Sequence, residues 1–228
     1  MNFPRLHRKL DDCQVHGPGS GAELFVVEGD SASLAVSQVR QPRFQAVLPM
    51  QGKPLNAIRA SAGKVAANPF FAALTAALGT GHGAAFKAGE LRYDRIVLLF
   101  DPDADGIHCG VLLLMFFYRW MRPLLDLGQV HAVRAPVGEL VRAGAATPQF
   151  IYSELQFHAL CAELLERRDP AARALRYRGL AGLNPEFLAT LCVNPATRTA
   201  QTVSAADAEL AIGVFGSARD LPPQQPLF

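Results

Sequence analysis

Arg95-Ile-Val-Leu-Leu-Phe-Asp101-Pro-Asp103-Ala-Asp105-Gly106-Ile-His108 joins an apolar, β-prone run to three alternating aspartates and a glycine. An apolar run of this length, closed by a turn signal, predicts a buried strand of a parallel sheet. Ligands of open α/β sheets sit outside the carboxyl ends of the strands, and the aspartates stand at such an end. Carboxylates crowded together raise one another's pKa, a cost that a bound cation offsets. Oxygen-only ligands on a short loop suit Mg²⁺, with Mn²⁺ or Ca²⁺ as substitutes, rather than zinc. Three readings of the stretch compete. An EF-hand loop starts the same way, but its twelfth position here is Leu112 instead of Glu, and a strand precedes it instead of a helix. A phosphatase with an aspartate nucleophile would use Asp101 and Asp103, yet Asp105 stands where Thr or Val is usual. The third reading is a Mg²⁺ site for phosphoryl transfer on nucleic acid.

Outward from this stretch the pattern is strand–helix–strand–helix, which predicts an α/β fold on a parallel sheet flanked by helices. Glu23–Glu28 reads as a strand, and Gly29-Asp30-Ser31 turns into a helix over about 31–40, with Asp30 or Ser31 as its cap. Glu28 thus holds a strand-end place like that of Asp101, and two such acids can converge on one crevice. Phe44–Leu48 reads as a strand, followed by a loop with Gly52-Lys53 and Asn56. A glycine before Lys53 lets its ammonium approach a phosphate. A helix is expected at 69–78, a long buried one from Gly110 to Leu127 that Pro123 kinks or ends early, and a strand at 129–134. A hairpin near 138–152, a helix at 153–167, a short helix opened by Asn184 and Pro185, and a last helix from Ala205 to Phe215 follow. The expected organisation is a flexible lead-in over 1–21, a sheet domain over 22–137, a small, mostly helical tail subdomain over 138–217, and a disordered end over 218–228.

The 228 residues carry a net charge of +2, too little for a uniformly basic nucleic-acid binder, so any DNA contact needs a local patch. Cys13, Cys109, Cys161 and Cys192 form no C-x-x-C pair, which speaks against a zinc site or a disulfide framework. No apolar run is long enough to span a membrane, and a cytoplasmic, nucleoid-associated location is expected.

Glu28-Gly-Asp-Ser-Ala32, Gly52-Lys53…Asn56, Asp101-x-Asp103-x-Asp105-Gly106-x-His108, Arg176-Tyr-Arg-Gly-Leu-x-x-Leu-Asn-Pro185 and Asn194-Pro-x-Thr-Arg198 occur in this order. Together they resemble the TOPRIM and tail region of the B subunit of bacterial type IIA topoisomerases, DNA gyrase and topoisomerase IV, over roughly residues 8–217. The resemblance implies a TOPRIM-type sheet and a Mg²⁺ beside the scissile phosphate of double-stranded DNA. It implies Glu28 as catalytic acid/base and metal ligand, Asp101 and Asp103 as ligands, and Asp105 as a third acid. It also implies Lys53, Asn56, Arg176 and Arg178 as DNA-contacting, with Asp30, Gly106 and His108 in support. The nucleophilic tyrosine would come from a topoisomerase A subunit. No ATP site is expected in this chain, so a separate ATPase subunit would supply that function. Departures from the family pattern are Ser33-Leu34 for Gly-Gly, Ser37 for a lysine, Gln51 for a basic residue, Cys109-Gly110 after the acids, Pro136-Val-Gly for Pro-Leu-Tyr, and Ala181-Gly182 for Gly-Glu. They motivate the alternative of a non-catalytic module that binds DNA or an A subunit and regulates it.

Overall fold

The computed structural model describes residues 9–168 and 170–216. Five strands form the main sheet: β1 (Glu23–Glu28), β2 (Gln45–Met50), β3 (Arg95–Leu99), β4 (Val130–Val133) and β8 (Ala200–Thr202), in the order β2-β1-β3-β4-β8. The first four run parallel, and β8 closes the edge antiparallel to β4. Helices cover both faces, which is why the parallel strands read as continuous apolar runs rather than alternating ones. Successive residues of β1 serve opposite cores. Phe25 and Val27 face α1 (Gly29–Val39). Leu24 and Val26 share the other core with the short α2 (Ala62–Ala66), α3 (Pro69–Leu78) and α4 (Ala104–Trp120), where Phe71 stacks on Phe116 with ring centroids 4.1 Å apart.

The central helix starts earlier than the sequence suggested. It begins at Ala104, six residues before the expected Gly110, because Asp103 is its N-cap and accepts the Gly106 N–H at 2.8 Å. The acidic stretch is therefore a tight strand-to-helix turn, and Asp105 lies in the helix's first turn. Pro123 acts as anticipated: α4 stops at Trp120, and α5 (Arg122–Asp126) restarts with that proline in its first turn. At α1 the cap is Glu28 itself, not Asp30 or Ser31, with Gly29 turning at φ 75°.

Two expectations about organisation need correction. The lead-in is bound, not loose, along its described part. Asp11 bridges to Val47 and pairs with Arg40. Asp12 accepts from Tyr93 at 2.7 Å, from Arg92 at 2.5 Å and from the Cys13 N–H at 2.9 Å. Residues 1–8 and the expected disordered end lie outside the described residues. The tail is also not one separate unit. Residues 138–176 build a three-stranded antiparallel sheet of β5 (Gly138–Arg142), β6 (Gln149–Ile151) and β7 (Ala172–Arg176), in the order β6-β5-β7. Its small core with α6 (Glu154–Arg167) holds Leu140, Ile151 and Phe157. A hairpin was legible there; the third strand was not.

Residues after 176 return to the main sheet. Leu180, Leu183, Leu188 and Cys192 seal the α1-side core, through a turn at Leu180–Gly182 and α7 (Pro185–Leu188), capped by Asn184 as expected. Then β8 joins β4, and α8 (Ala205–Gly216) packs on α4. One buried ion pair fastens this return. Arg198 donates to Glu23 at 2.8 and 2.5 Å, and Gln45 donates to the same carboxylate at 2.9 Å.

Candidate metal centre

Glu28 and Asp101 leave neighbouring strands at the carboxyl edge, since Val27 pairs with Leu99 across β1 and β3. Sheet register alone therefore places both acids at one crevice. Burial raises the Glu28 carboxyl above its ordinary value, and the charges of Asp101, Asp103 and Asp105 raise it further, with Lys53 opposing. Asp101 is also raised, by burial and by Asp103, although the Leu180 N–H donates to its Oδ1 at 2.8 Å and pulls the other way. Asp105 is lowered because the Lys53 ammonium sits 2.6 Å from its Oδ1. Beneath the acids Cys109 is fully buried, and burial with the negative charge of Glu28 pushes its thiol up to about 12.

The four acids share a field but not yet a coordination shell. Among the described residues, no three of them bring ligand atoms within 4.8 Å of one another. Three are held by something else: Asp103 by its cap, Asp105 by Lys53, Asp101 by the tail. The donor set is all carboxylate oxygen, and its two half-buried members, Glu28 and Asp101, are driven toward protonation by partial burial and by their acidic neighbours. That is the chemistry of a site for a hard divalent cation, which would relieve the repulsion on binding. The residues fit Mg²⁺.

Of the other expected residues, Lys53 reaches the acids, as just described. Asn56 sits near its loop but spends its side-chain oxygen on the N–H groups of Ile58 and Arg59, at 3.0 and 3.3 Å. Arg176 and Arg178 line a cleft of about 350 Å³ together with Asp101, Asp103 and Gly179. Arg176 is held there by a bidentate pair with Glu154, at 2.6 and 2.5 Å. Asp30 accepts from Lys9 at 3.2 Å and from Gln51 at 2.9 Å. Gly106 is needed where it stands, because a Cβ there would lie 2.1 Å from the Asp101 carbonyl oxygen. His108 stacks on Phe215 of α8, with centroids 6.1 Å apart.

Sequence reasoning missed four contributors. Glu154 gave no signal as the partner of Arg176, and Arg119 gave none as the donor to the carbonyls of Ala57, Ile58 and Ala60, which fixes the loop carrying Lys53. Gly179 and the Leu180 amide stood inside a quoted motif, but nothing local links them to Asp101, 79 residues away. A second cluster of ligand type, Asp12, Cys13 and His16, is already filled by a cation: Arg92 lies 2.5 Å from Asp12 and 2.8 Å from His16. It reads as a structural network.

Residues 23–135 match the Toprim domain family. The chain is 39% identical over 219 residues to the DNA gyrase B subunit of Thermus thermophilus, an alignment covering 94% of this chain and 34% of that protein. With its counterpart from Halalkalibacterium halodurans the identity is 37% over 215 residues, covering 94% and 33%. With that of Thermotoga maritima it is 40% over 212 residues, covering 92% and 32%. The chain thus spans about a third of the length of the curated relatives it matches. The sheet, the strand-end acids and this kinship agree: residues 23–135 form a Toprim domain, and the chain is similar to a third of the length of DNA gyrase B subunits.

Proposed function

We propose that this chain is the metal-holding part of a type IIA topoisomerase cleavage centre, acting on double-stranded DNA with an A-type subunit that carries the nucleophilic tyrosine. The observation that supports it best is the convergence of Glu28 with Asp101, Asp103 and Asp105 in one electrostatically coupled crevice beside Arg176 and Arg178. Mg²⁺ bound by these acids would offset charge on the scissile phosphate and the leaving oxygen. Glu28, whose carboxyl is raised by burial and its acidic neighbours, is suited to give a proton to the leaving sugar oxygen in cleavage and to take it back from the sugar hydroxyl in religation. Lys53 and Arg178 neutralise flanking phosphates without reading bases, so sequence preference would come through DNA bendability. Arg176, oriented by Glu154, holds the backbone in line. A nucleoid-associated cytoplasmic location goes with this reading. No described helix is long and apolar enough to cross a membrane.

The test is to mix the purified chain with the A subunit of its own host, Mg²⁺ and plasmid DNA, and to look for protein-linked cleaved DNA after detergent. Cleavage that Asp101→Asn or Glu28→Gln abolishes is expected. Absence of cleavage with the wild-type chain, or cleavage that survives Asp101→Asn, would sink the reading.

A further inference from the structure

Asp101 is gripped from two directions. Its backbone lies against Gly106 at the start of α4, where no side chain could fit. Its carboxylate lies against Gly179, in the turn that brings the tail back to the main sheet. A Cβ on Gly179 would stand 2.4 Å from Oδ2, 2.8 Å from Cγ and 2.9 Å from Oδ1, overlapping the whole carboxylate. Gly179 also has φ 67° and ψ −174°, a conformation that L side chains avoid. Both the space and the backbone angle therefore demand glycine. The next residue delivers the hydrogen bond: Leu180 N–H to Asp101 Oδ1, 2.8 Å. The side chain of Leu180 is completely buried in the α1-side core beside Leu183, Leu188 and Cys192. The donor is thus anchored by packing, not carried on a mobile loop.

We propose that Gly179 and the Leu180 amide are the positioning pair for Asp101, so that the tail turn sets the carboxylate's orientation and with it the affinity of the metal centre. This deepens the function proposed above and rests on Asp101 being a metal ligand. A carboxylate ligand whose outer hydrogen bond fixes its orientation loses metal affinity when that bond is removed, typically about tenfold or more. The sheet alone places Asp101 at the crevice; the turn from 177 to 180 aims it. Metal binding and docking of the tail are then linked, each favouring the other.

The experiment compares three forms of the full chain with wild type. Mn²⁺ binding is followed by the EPR signal of the free ion, with a short nicked duplex present and a duplex-only blank subtracted. Asp101→Asn defines the site. Gly179→Ala introduces the clash. In the third form leucic acid replaces Leu180, so that an ester oxygen takes the place of the amide N–H while the side chain is kept; this form answers the question even if Gly179→Ala does not fold. The expected result is Mn²⁺ affinity lowered about tenfold or more in the ester form, with a melting temperature close to wild type. A merely structural role would move the melting temperature and leave the affinity alone. Wild-type Mn²⁺ affinity in the ester form overturns the positioning role while leaving the metal reading intact. Failure of wild type to bind Mn²⁺, or binding that survives Asp101→Asn, overturns both.

Discussion

Arg198→Ala should be among the costliest single changes in this chain. Its guanidinium sits almost wholly inside, 4% exposed, against a Glu23 carboxylate that is 0% exposed. Removing one member of a buried pair strands the other, and such losses run to about 3–5 kcal/mol. Glu23 keeps two partners in the variant, Gln45 at 2.9 Å and the half-exposed Arg95 at 3.2 Å, so the lower end, about 3 kcal/mol, is expected. Arg198 also donates to the Val193 carbonyl at 2.8 Å and lies over the Phe25 ring at 5.4 Å, which argues against a smaller figure. In a chain of this size about 3 kcal/mol lowers the melting temperature by roughly 6–12 °C. Burial alone would push the Glu23 carboxyl up; hydrogen bonds from Arg198, Gln45 and Arg95 outweigh it and hold the carboxyl below the ordinary 4.5. A carboxyl depressed in the folded state stabilises the fold above its unfolded value, and the benefit fades as pH falls through the folded one. Without Arg198 the effect of burial regains ground and the variant's Glu23 takes up a proton at higher pH than wild type. The stability gap should therefore be widest near pH 7.5 and shrink by pH 4. Urea unfolding followed through Trp120, the single tryptophan, measures both. A gap below about 1 kcal/mol at pH 7.5, the range of exposed pairs, would refute the argument, as would a gap that does not narrow in acid.

Three further outcomes follow from the geometry. Lys53→Ala should leave the melting temperature unchanged, because the Lys53–Asp105 pair is exposed, but weaken DNA binding and lower the salt slope by about one, read by fluorescence anisotropy at several salt concentrations. Arg119→Ala removes donors to the carbonyls of Ala57, Ile58 and Ala60, so amides of residues 51–60 should exchange faster, with a global loss of roughly 1 kcal/mol, checked by hydrogen–deuterium exchange and urea unfolding. Phe71→Ala empties one half of the ring stack between α3 and α4 and should cost about 3–5 kcal/mol, checked by denaturation.

The strand-end acids were legible because their signals are local. An apolar run of five residues fixes β3, the following acids mark its carboxyl end, and Glu28 repeats the pattern on β1. The turn itself was harder to read. Whether Asp103 caps a helix or sits in an open loop depends on one hydrogen bond to Gly106, and an apolar stretch from Gly110 masked the helix's true start. The destiny of the tail was not legible at all. Residues 138–217 read as a small tail subdomain; that Leu180, Leu188 and Cys192 complete one face of the main sheet follows only from pairings across the chain, such as Gln45 to Val193. The third strand of the small sheet was hidden for a similar reason. Ala172–Arg176 lacks the β-branched residues that mark a strand, and its pairing with β5 supplies what propensity does not.

The clasp between Glu23 and Arg198 spans 175 positions, so the two sides of one ion pair leave a ribosome on the order of ten seconds or more apart. During that interval the first strands can pair and α1 can form, yet the apolar face later covered by Leu180, Leu188 and Cys192 has no lid. The nascent chain carries an adhesive surface until residues 180–193 emerge, and vectorial synthesis places a chaperone-dependent window there. Long-range closure of this kind also slows refolding in the test tube. A truncation before Leu180 would hold the polypeptide permanently in that half-finished state, with its acids in place and the hydrogen bond to Asp101 never made.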